Sequence, residues 1–167
     1  MDWLTIALQI VHVVAAVIWV GGAALIVLYV QPVAEKLGPG AEQFMDELFV
    51  RRKVSRYFAI AATLVVLAGV SLYLKNYLSV ATTLPALTFL LGGILGIVAW
   101  ARGGTVLQRA LSANGAAIAE IKAAGGPPSA ELAARLQTTQ SKLRSIGQQD
   151  LALILAAAVL MSVARYL

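Results

Sequence analysis

The sequence predicts an all-α fold: a polytopic membrane four-helix bundle, with an amphipathic helix in the first cytoplasmic loop and a helical hairpin in the second. Of the 167 residues, 60% are hydrophobic and 13% are charged, which is about half the charged fraction of a soluble domain. The apolar residues form four runs, each long enough to cross about 30 Å of hydrocarbon. Lys and Arg are concentrated between these runs.

The predicted spans cover about residues 4–30, 57–78, 84–102 and 151–167 of one transmembrane domain, residues 1–167. Trp3 and Tyr29 are expected to anchor the first span at the two membrane interfaces. Pro85 marks the start of the third span, because proline fits the first turn of a helix. The first run follows Asp2 rather than basic residues and is too long for a cleaved signal peptide, so we interpret it as a permanent span.

The basic residues predict the orientation. Five Lys or Arg lie in residues 31–56 and six in residues 101–149, whereas the connection between the second and third spans has only Lys75. The positive-inside rule therefore places both basic loops in the cytoplasm and both termini outside. The net charge of +5 then indicates a lipid bilayer, and not nucleic acid, as the partner. Four residues are expected to contact lipid phosphate at the inner surface: Arg51, Arg52, Lys53 and Arg56. Asp150, at the start of the fourth span, is expected to cap that helix or to pair with one of these four residues.

Both basic loops show helical patterns. Residues 41–56 place Phe44, Met45, Leu48 and Phe49 on one face, which predicts an amphipathic helix on the inner membrane surface. Residues 105–149 are interpreted as helix, "GGPP" breaker and helix. We expect the third and fourth spans to continue into this segment and to meet as an antiparallel hairpin with its tip at 125–128. Two separate amphipathic segments are the alternative.

Small residues predict how the spans pack. Lipid tails are as apolar as leucine, so transmembrane helices associate where small side chains allow close approach. Gly92 and Gly96 form a GxxxG motif in the third span, and Gly22 lies in the first. This pattern predicts close packing, and it leaves open whether the partner helix lies in the same chain or in a second copy.

The first span contains "QIVHVVAAVIWVGG", in which His12 is the only histidine of the chain and shares a helical face with Trp19. Polar groups inside a span are costly, so His12 is a functional hypothesis. An imidazole can bind a metal through one nitrogen while the other donates to a carbonyl, which favours haem iron, as haem b. The alternative is a hydrogen bond that only packs two helices. Trp19, on the same face, would line a flat macrocycle, or would only pack in the core. Arg165 would pair with a haem propionate or extend to the lipid headgroups.

Other chemistries have less support. The chain has no cysteine, which excludes disulfides, thiolate metal sites and a cysteine nucleophile. It shows no paired carboxylates, no Ser/His/Asp arrangement and no phosphate-binding loop. The sequence therefore gives no case for hydrolysis, and whether the protein is an enzyme stays open.

The segment "VHVVAAVIWVGG" is similar to the first span of CopD-like membrane proteins and of the HemJ family of membrane protoporphyrinogen oxidases. "LTFLLGGILGIVAWARG" in the third span also fits the HemJ pattern. The resemblance implies a multi-pass protein of the bacterial inner (cytoplasmic) membrane, with His12 as a haem b ligand. The HemJ family has a functional lysine just before "LTF", where this chain has Ala86, which argues against protoporphyrinogen oxidation. CopD-type copper transporters would be expected to carry more Met and His.

These observations suggest three functions. The first is a haem-b-binding membrane protein with an electron-transfer or redox role. Since each chain has one histidine, ligation by two histidines would require a second copy, and a homodimer is favoured. The second is a non-catalytic accessory or scaffold subunit of a membrane complex. The third is a transporter of copper or another small solute.

Overall fold

The structure is a computed structural model that describes residues 2–37, 41–125 and 129–167. Over these ranges the chain forms helices and short turns and contains no strand. The α-helices are α1 (Trp3–Leu25), α2 (Gln31–Leu37), α3 (Ala41–Asp46), α4 (Val54–Asn76), α5 (Leu84–Arg102), α6 (Gln108–Ala124) and α7 (Ala130–Ala164).

Two π-helical turns join some of these helices into longer rods. Ile26–Val30 connects α1 to α2, and Gly103–Leu107 connects α5 to α6. The four resulting helices are each long and apolar enough to cross a membrane: Trp3–Leu37, Val54–Asn76, Leu84–Ala124 and Ala130–Ala164. The prediction of an all-helical chain with four apolar helices of membrane-spanning length is confirmed for the described residues. Three of the helices continue well beyond the predicted spans.

Local chemistry explains where several helices begin. The Asp2 side chain caps α1 by accepting the Thr5 backbone N–H at 3.3 Å, which satisfies a donor that the first turn leaves free. Ser129 caps α7 in the same way. Pro85 lies in the first turn of α5, where its missing N–H costs nothing. Lys53 adopts a left-handed backbone conformation with φ of 53° and separates α4 from the preceding helical segment.

The long helices pack as antiparallel neighbours, with α4 between α1 and α5, and α7 against α5. Nearly every buried side chain among the described residues is alanine, and none of the large side chains is fully buried. A buried cluster joins Ala99 of α5 to Leu151 and Ile154 of α7. In lipid, an apolar side chain contacts an acyl chain as favourably as it contacts another helix. Helices therefore associate where alanine and glycine let their backbones approach closely.

Glycines mark the closest approaches. A Cβ on Gly22 of α1 would overlap the Phe58 ring of α4, and a Cβ on Gly92 of α5 would lie 3.2 Å from the Ala157 carbonyl oxygen of α7. Gly96, the second glycine of the predicted motif, has no such neighbour within 4 Å. Gly92 therefore contacts a helix of the same chain, whereas Gly96 lies at an open position.

Beyond the bundle, α6 runs alongside the first half of α7. Arg135 Nη1 lies 3.0 Å from Glu120 Oε2 and joins the two helices through an ion pair. Gly125 ends α6 with a positive φ of 64°, a conformation that glycine adopts without strain. The rest of the predicted hairpin tip, residues 126–128, lies outside the described residues.

The first loop is helical over α3 and a π-helical turn at Glu47–Arg51. The predicted amphipathic helix over 41–56 is therefore divided near Lys53, because Val54 already begins α4. Of the predicted apolar stripe, Phe44 is exposed, while Met45, Leu48 and Phe49 are half-buried.

An ion pair joins the start of α1 to the end of α4. Lys75 Nζ lies 2.9 Å from Asp2 Oδ2, and we call this end of the bundle the Asp2 end. The hydrogen bond from Lys75, followed by those from the Thr5 hydroxyl and backbone, lowers the pKa of the Asp2 carboxyl from its ordinary 3.8 to about 2. Both partners are exposed to a large extent, so solvent weakens the pair.

We expect Gly92→Ala to destabilise the protein and Gly93→Ala to leave it as stable or more stable. The new Cβ at Gly92 meets a backbone oxygen, and overpacking of this kind costs about 1–3 kcal/mol. A Cβ at Gly93 meets nothing within 4 Å and gains about 1 kcal/mol of helix propensity. Unfolding free energies measured in mixed detergent micelles test this. Equal effects of the two substitutions would contradict the close α5–α7 contact.

The Asp2–Lys75 pair predicts a pH dependence. Because the pKa of Asp2 is lowered in the folded chain, its charge stabilises the fold above about pH 3.8, and this contribution is lost as the pH falls through about 2. Asp2→Asn keeps a capping side chain and removes the charge. The unfolding midpoints of wild type and Asp2→Asn should differ at neutral pH and converge near pH 2. A difference that does not change with pH would refute this assignment.

Candidate functional site

The imidazole of His12 lies between α1 and α4. Its Nδ1 is 2.9 Å from the backbone carbonyl oxygen of Val65. A carbonyl oxygen only accepts hydrogen bonds, so Nδ1 must be the donor and carry the proton. The neutral ring then has its lone pair on Nε2. One interhelical hydrogen bond thereby sets both the orientation and the tautomer of the only histidine.

Gly69 makes this position of the ring possible. A Cβ on Gly69 would lie 2.9 Å from His12 Cε1 and 3.1 Å from Nδ1, closer than carbon atoms pack. Gly69 and Val65 are one helical turn apart on α4, so they present a carbonyl and a space on the same face. The ring is half-buried and lies against this short stretch of backbone.

The other nitrogen, Nε2, makes no hydrogen bond to the described part of the chain. It is also not one of the fully buried unpartnered polar atoms there, which are Tyr73 Oη and Asp150 Oδ2. Nε2 is therefore not fully enclosed. A ring that donates through Nδ1 to a carbonyl and presents Nε2 has the arrangement found in metal-binding histidines.

Trp19 and Arg165 lie in different surroundings from His12. Trp19 packs beside the cluster of Ala99, Leu151 and Ile154, whereas the polar contact of His12 is with α4. Arg165 is exposed and ends α7. Trp19 therefore belongs to the α1–α5–α7 contact, and Arg165 lies at the surface where the chain ends.

An apolar cavity of ≈ 290 Å³ lies at the opposite end of α1 from Asp2. It presents no polar surface, and it is too far along the helix to be shared with His12, since residues 12 and 29 are about 25 Å apart at 1.5 Å per residue. Its lining consists of Tyr29, Val30, Val33, Ala34, Leu37 and Phe44.

The predicted lipid-contact residues are all exposed. Arg51 Nε and Arg52 Nε lie 3.6 Å and 3.1 Å from the Glu47 carboxylate, so part of their charge is balanced within the loop. Lys53 and Arg56 lie at the start of the α4 segment. Surface pairs of this kind are weak, so the two arginines can exchange Glu47 for another anionic group.

A charge pair that sequence reasoning did not identify joins α5 to α7. Arg102 Nε lies 2.6 Å from Asp150 Oδ1, and Arg102 Nη2 donates to Gln149 Oε1 at 2.9 Å. The sequence predicts that Asp150 caps the fourth span or pairs with a basic residue of the first loop. It does neither, because α7 begins at Ala130 and brings Asp150 beside the end of α5. The sequence does carry a signal for this pair, because Arg102 follows the third apolar run and Asp150 precedes the fourth.

Tyr73 is a second group without a strong sequence signal. Its ring stacks on Tyr77 with centroids 6.1 Å apart, and Tyr77 contacts Phe89 of α5 at 4.8 Å. The Tyr73 hydroxyl is fully buried and has no hydrogen-bond partner in the described chain. Two tyrosines one turn apart indicate a shared face, but they do not indicate that one hydroxyl is enclosed.

We expect Gly69→Ala to destabilise the protein only when His12 is present. The added Cβ would displace the imidazole, at about 1–3 kcal/mol. In a His12→Ala background the same substitution meets no ring and should be neutral or stabilising. A double-mutant cycle on unfolding free energies isolates this coupling. If Gly69→Ala costs the same in both backgrounds, the ring does not depend on Gly69.

Comparisons of the chain with family models, with curated proteins and with solved structures found no match. The resemblance of the first and third spans to the CopD-like and HemJ families therefore stays a prediction from the quoted residues. The geometry around His12 is the observation that bears most directly on function.

Proposed function

We propose that this chain is an integral membrane protein that binds haem b through His12 and takes part in electron transfer or another redox process. The observation that carries the proposal is the hydrogen bond from His12 Nδ1 to the Val65 carbonyl. It leaves Nε2 with a lone pair and a defined direction, which is what an axial ligand requires. Bound haem would supply a one-electron centre.

The residues around His12 suit haem, because they orient the ring nitrogen that would bind the iron and provide apolar surroundings. The Val65 carbonyl and Gly69 hold the ring, so Nε2 is oriented before any ligand arrives. The adjacent residues of the first span are apolar, which favours a flat apolar macrocycle over water. Nε2 is not fully enclosed, and the group would bind where this side of the bundle faces lipid or a second chain.

A second copy fits this arrangement. With one histidine per chain, a second histidine ligand must come from another molecule, so we propose a homodimer. Of the cofactor-binding residues proposed from the sequence, Trp19 would hold α1 against α5 and α7, and Arg165 would pair with a haem propionate at the membrane surface. These two assignments rest on residue type and on position along the helices.

We also propose an orientation for the chain in the membrane. The basic residues of the 31–56 and 101–149 segments favour a cytoplasmic location for these segments, with both termini outside. The Asp2 end of the bundle then faces outward. The exposed set of Arg51, Arg52, Lys53 and Arg56 would contact phosphates of the inner leaflet, and the α6–α7 pair would extend into the cytoplasm.

An accessory or scaffold role is the second candidate. The observation that favours it is the α6–α7 pair itself, whose described residues between Gln108 and Asp150 expose none of the large apolar side chains. The pair also carries its own ion pair, Arg135–Glu120. It is a polar surface suited to a water-soluble partner. In this case the His12 hydrogen bond would serve only to pack α1 on α4, and the protein would be colourless.

An absorption spectrum of the detergent-purified protein, before and after dithionite, tests the haem proposal. The wild type should show a Soret band, and His12→Ala should lose it. Added imidazole should restore part of the band in His12→Ala by replacing the missing ligand. Gln9→Ala, an exposed neighbour one turn away, should keep it. Wild-type protein that is colourless and takes up no added haem would exclude the proposal and leave the scaffold role.

A further inference from the structure

The apolar cavity at the far end of α1 is an open groove between α2 and α3, which contact each other. Tyr29 and Val30 of the π-helical turn and residues of α2 form one wall, and Phe44 of α3 lies on the other. The groove presents no polar surface and has a volume of ≈ 290 Å³. Of its lining, Tyr29, Val33, Leu37 and Phe44 are each more than half exposed. The described chain therefore leaves this apolar surface open to an occupant.

The groove lies just beyond the hydrocarbon layer. Asp2 pairs with Lys75, and Gly22 lies against Phe58, so α1 and α4 run antiparallel. At 1.5 Å per residue, the stretch from Asp2 to Gly22 is about 30 Å long, which is about the thickness of the hydrocarbon. Tyr29 lies about 10 Å further along the same rod. The groove therefore begins near the lipid headgroups and extends away from the membrane.

A continuous apolar surface connects the hydrocarbon to the groove. Leu25 and Leu28 lie on this part of the rod, and both are more than half exposed. The chain contains no Asp, Glu, Lys or Arg from Trp3 to Ala34. An acyl chain can therefore reach the groove from the bilayer without passing a charged side chain of α1.

Basic residues lie at the membrane end of the groove. Because α4 is antiparallel to α1, residues that precede Phe58 lie further from the Asp2 end. Arg56 and Lys53 are about 3 Å and about 8 Å beyond Phe58 at 1.5 Å per residue, and both are exposed. The two arginines that pair with Glu47 come immediately before Lys53. The headgroup layer extends about 5–8 Å beyond the hydrocarbon on each side, so this basic group lies at its level.

One helical segment carries both a wall of the groove and two of these arginines. Phe44 lies in α3, which runs directly into the π-helical turn Glu47–Arg51. Phe44 and Arg51 are therefore about 10 Å apart along the segment. One leaflet of a bilayer is about 20 Å thick with its headgroups, so a single lipid is long enough to contact both.

These features favour an anionic phospholipid as the occupant. Its acyl chain matches the apolar lining, and its phosphate accepts charge-assisted hydrogen bonds from guanidinium groups. A neutral apolar molecule would match the groove and leave the basic residues without a counterpart. Tyr29 and Val30 also belong to a π-helical turn, a feature that is frequent at functional sites.

We propose that the groove holds one acyl chain of an anionic phospholipid from the adjacent leaflet. The phosphate lies on the basic residues at the headgroup level, and the second acyl chain stays in the bilayer. The inference rests on the phosphate contact proposed above for Arg51, Arg52, Lys53 and Arg56. It does not rest on haem, because the groove is about 25 Å from His12 along the rod.

A photoreactive lipid tests where the acyl chain lies. The full chain is placed in vesicles that contain phosphatidylglycerol with a diazirine at the end of one acyl chain, and crosslinks are mapped by peptide mass spectrometry. The chain end of an ordinary bilayer lipid lies near the middle of the membrane. In the proposed site it lies beyond the headgroups, so we expect crosslinks on Val33, Leu37 and Phe44 in addition to those on the spans.

Two variants change the groove, and one is a matched control. Ala34→Phe fills the groove and should lose the groove crosslinks, while the span crosslinks remain and show that the protein is inserted. Phe44→Ala alters an exposed side chain, so it should fold, and it should weaken the crosslinks on Val33 and Leu37. Ala7→Phe makes the same change as Ala34→Phe at an exposed position near the Asp2 end and should keep the groove crosslinks.

The headgroup and haem are tested in the same assay. A phosphatidylcholine probe with the same diazirine chain should crosslink the groove less, and Arg51→Gln with Arg52→Gln should reduce the phosphatidylglycerol signal to that level. His12→Ala should keep the groove crosslinks, so failure of the haem proposal is separate from failure of this one. Crosslinks confined to the spans, or equal groove crosslinks in Ala34→Phe and Ala7→Phe, would overturn the proposal. Displacement of the probe from the groove by a free long-chain fatty acid would overturn the assignment to a phospholipid.

Discussion

Close approach of helix backbones is the constraint on which this structure depends. In lipid, an apolar side chain gains little by contacting protein instead of an acyl chain, so helices stay together where their surfaces are small and complementary. The buried positions are almost all alanine, and glycines lie at the tightest contacts. The hydrogen bond from His12 to Val65 follows from this constraint, because a side chain at Gly69 would push the imidazole away from the carbonyl.

A few polar contacts join the helices, two of them near the ends of the apolar segments. Asp2 and Lys75 pair at one end of the α1–α4 contact, and Arg102 and Asp150 pair where α5 leaves the bundle. The Asp150 side chain is 14% exposed, so its charge is largely withdrawn from water and needs the guanidinium beside it. Between these two levels, His12 provides a polar contact from α1 to α4. Apolar packing accounts for most of the remaining helix contacts.

Much of the fold could be predicted from the sequence. Run length and charge content indicated four apolar helices, and the "GGPP" breaker between two periodic segments indicated a pair of helices beyond the third span. The sequence also indicated that the third and fourth spans continue into the segment between them. It did not indicate that the first span continues over Gln31–Leu37, which follows the apolar run through a π-helical turn at Ile26–Val30. His12 stood out because it is one imidazole in an apolar run. Gly69 did not, because no local pattern pairs a glycine on α4 with a ring more than fifty residues earlier.

The π-helical turns at Ile26–Val30 and Gly103–Leu107 have a further consequence for how the long helices change environment. A π-helical turn accommodates one extra residue, and each residue of an α-helix corresponds to about 100° of rotation. A continuous helix can therefore turn a different face toward its neighbours on either side of such a turn. The face that α6 turns toward α7 is therefore independent of the face that α5 turns toward the bundle. One continuous helix can then pack in apolar surroundings over α5 and against a polar partner helix over α6.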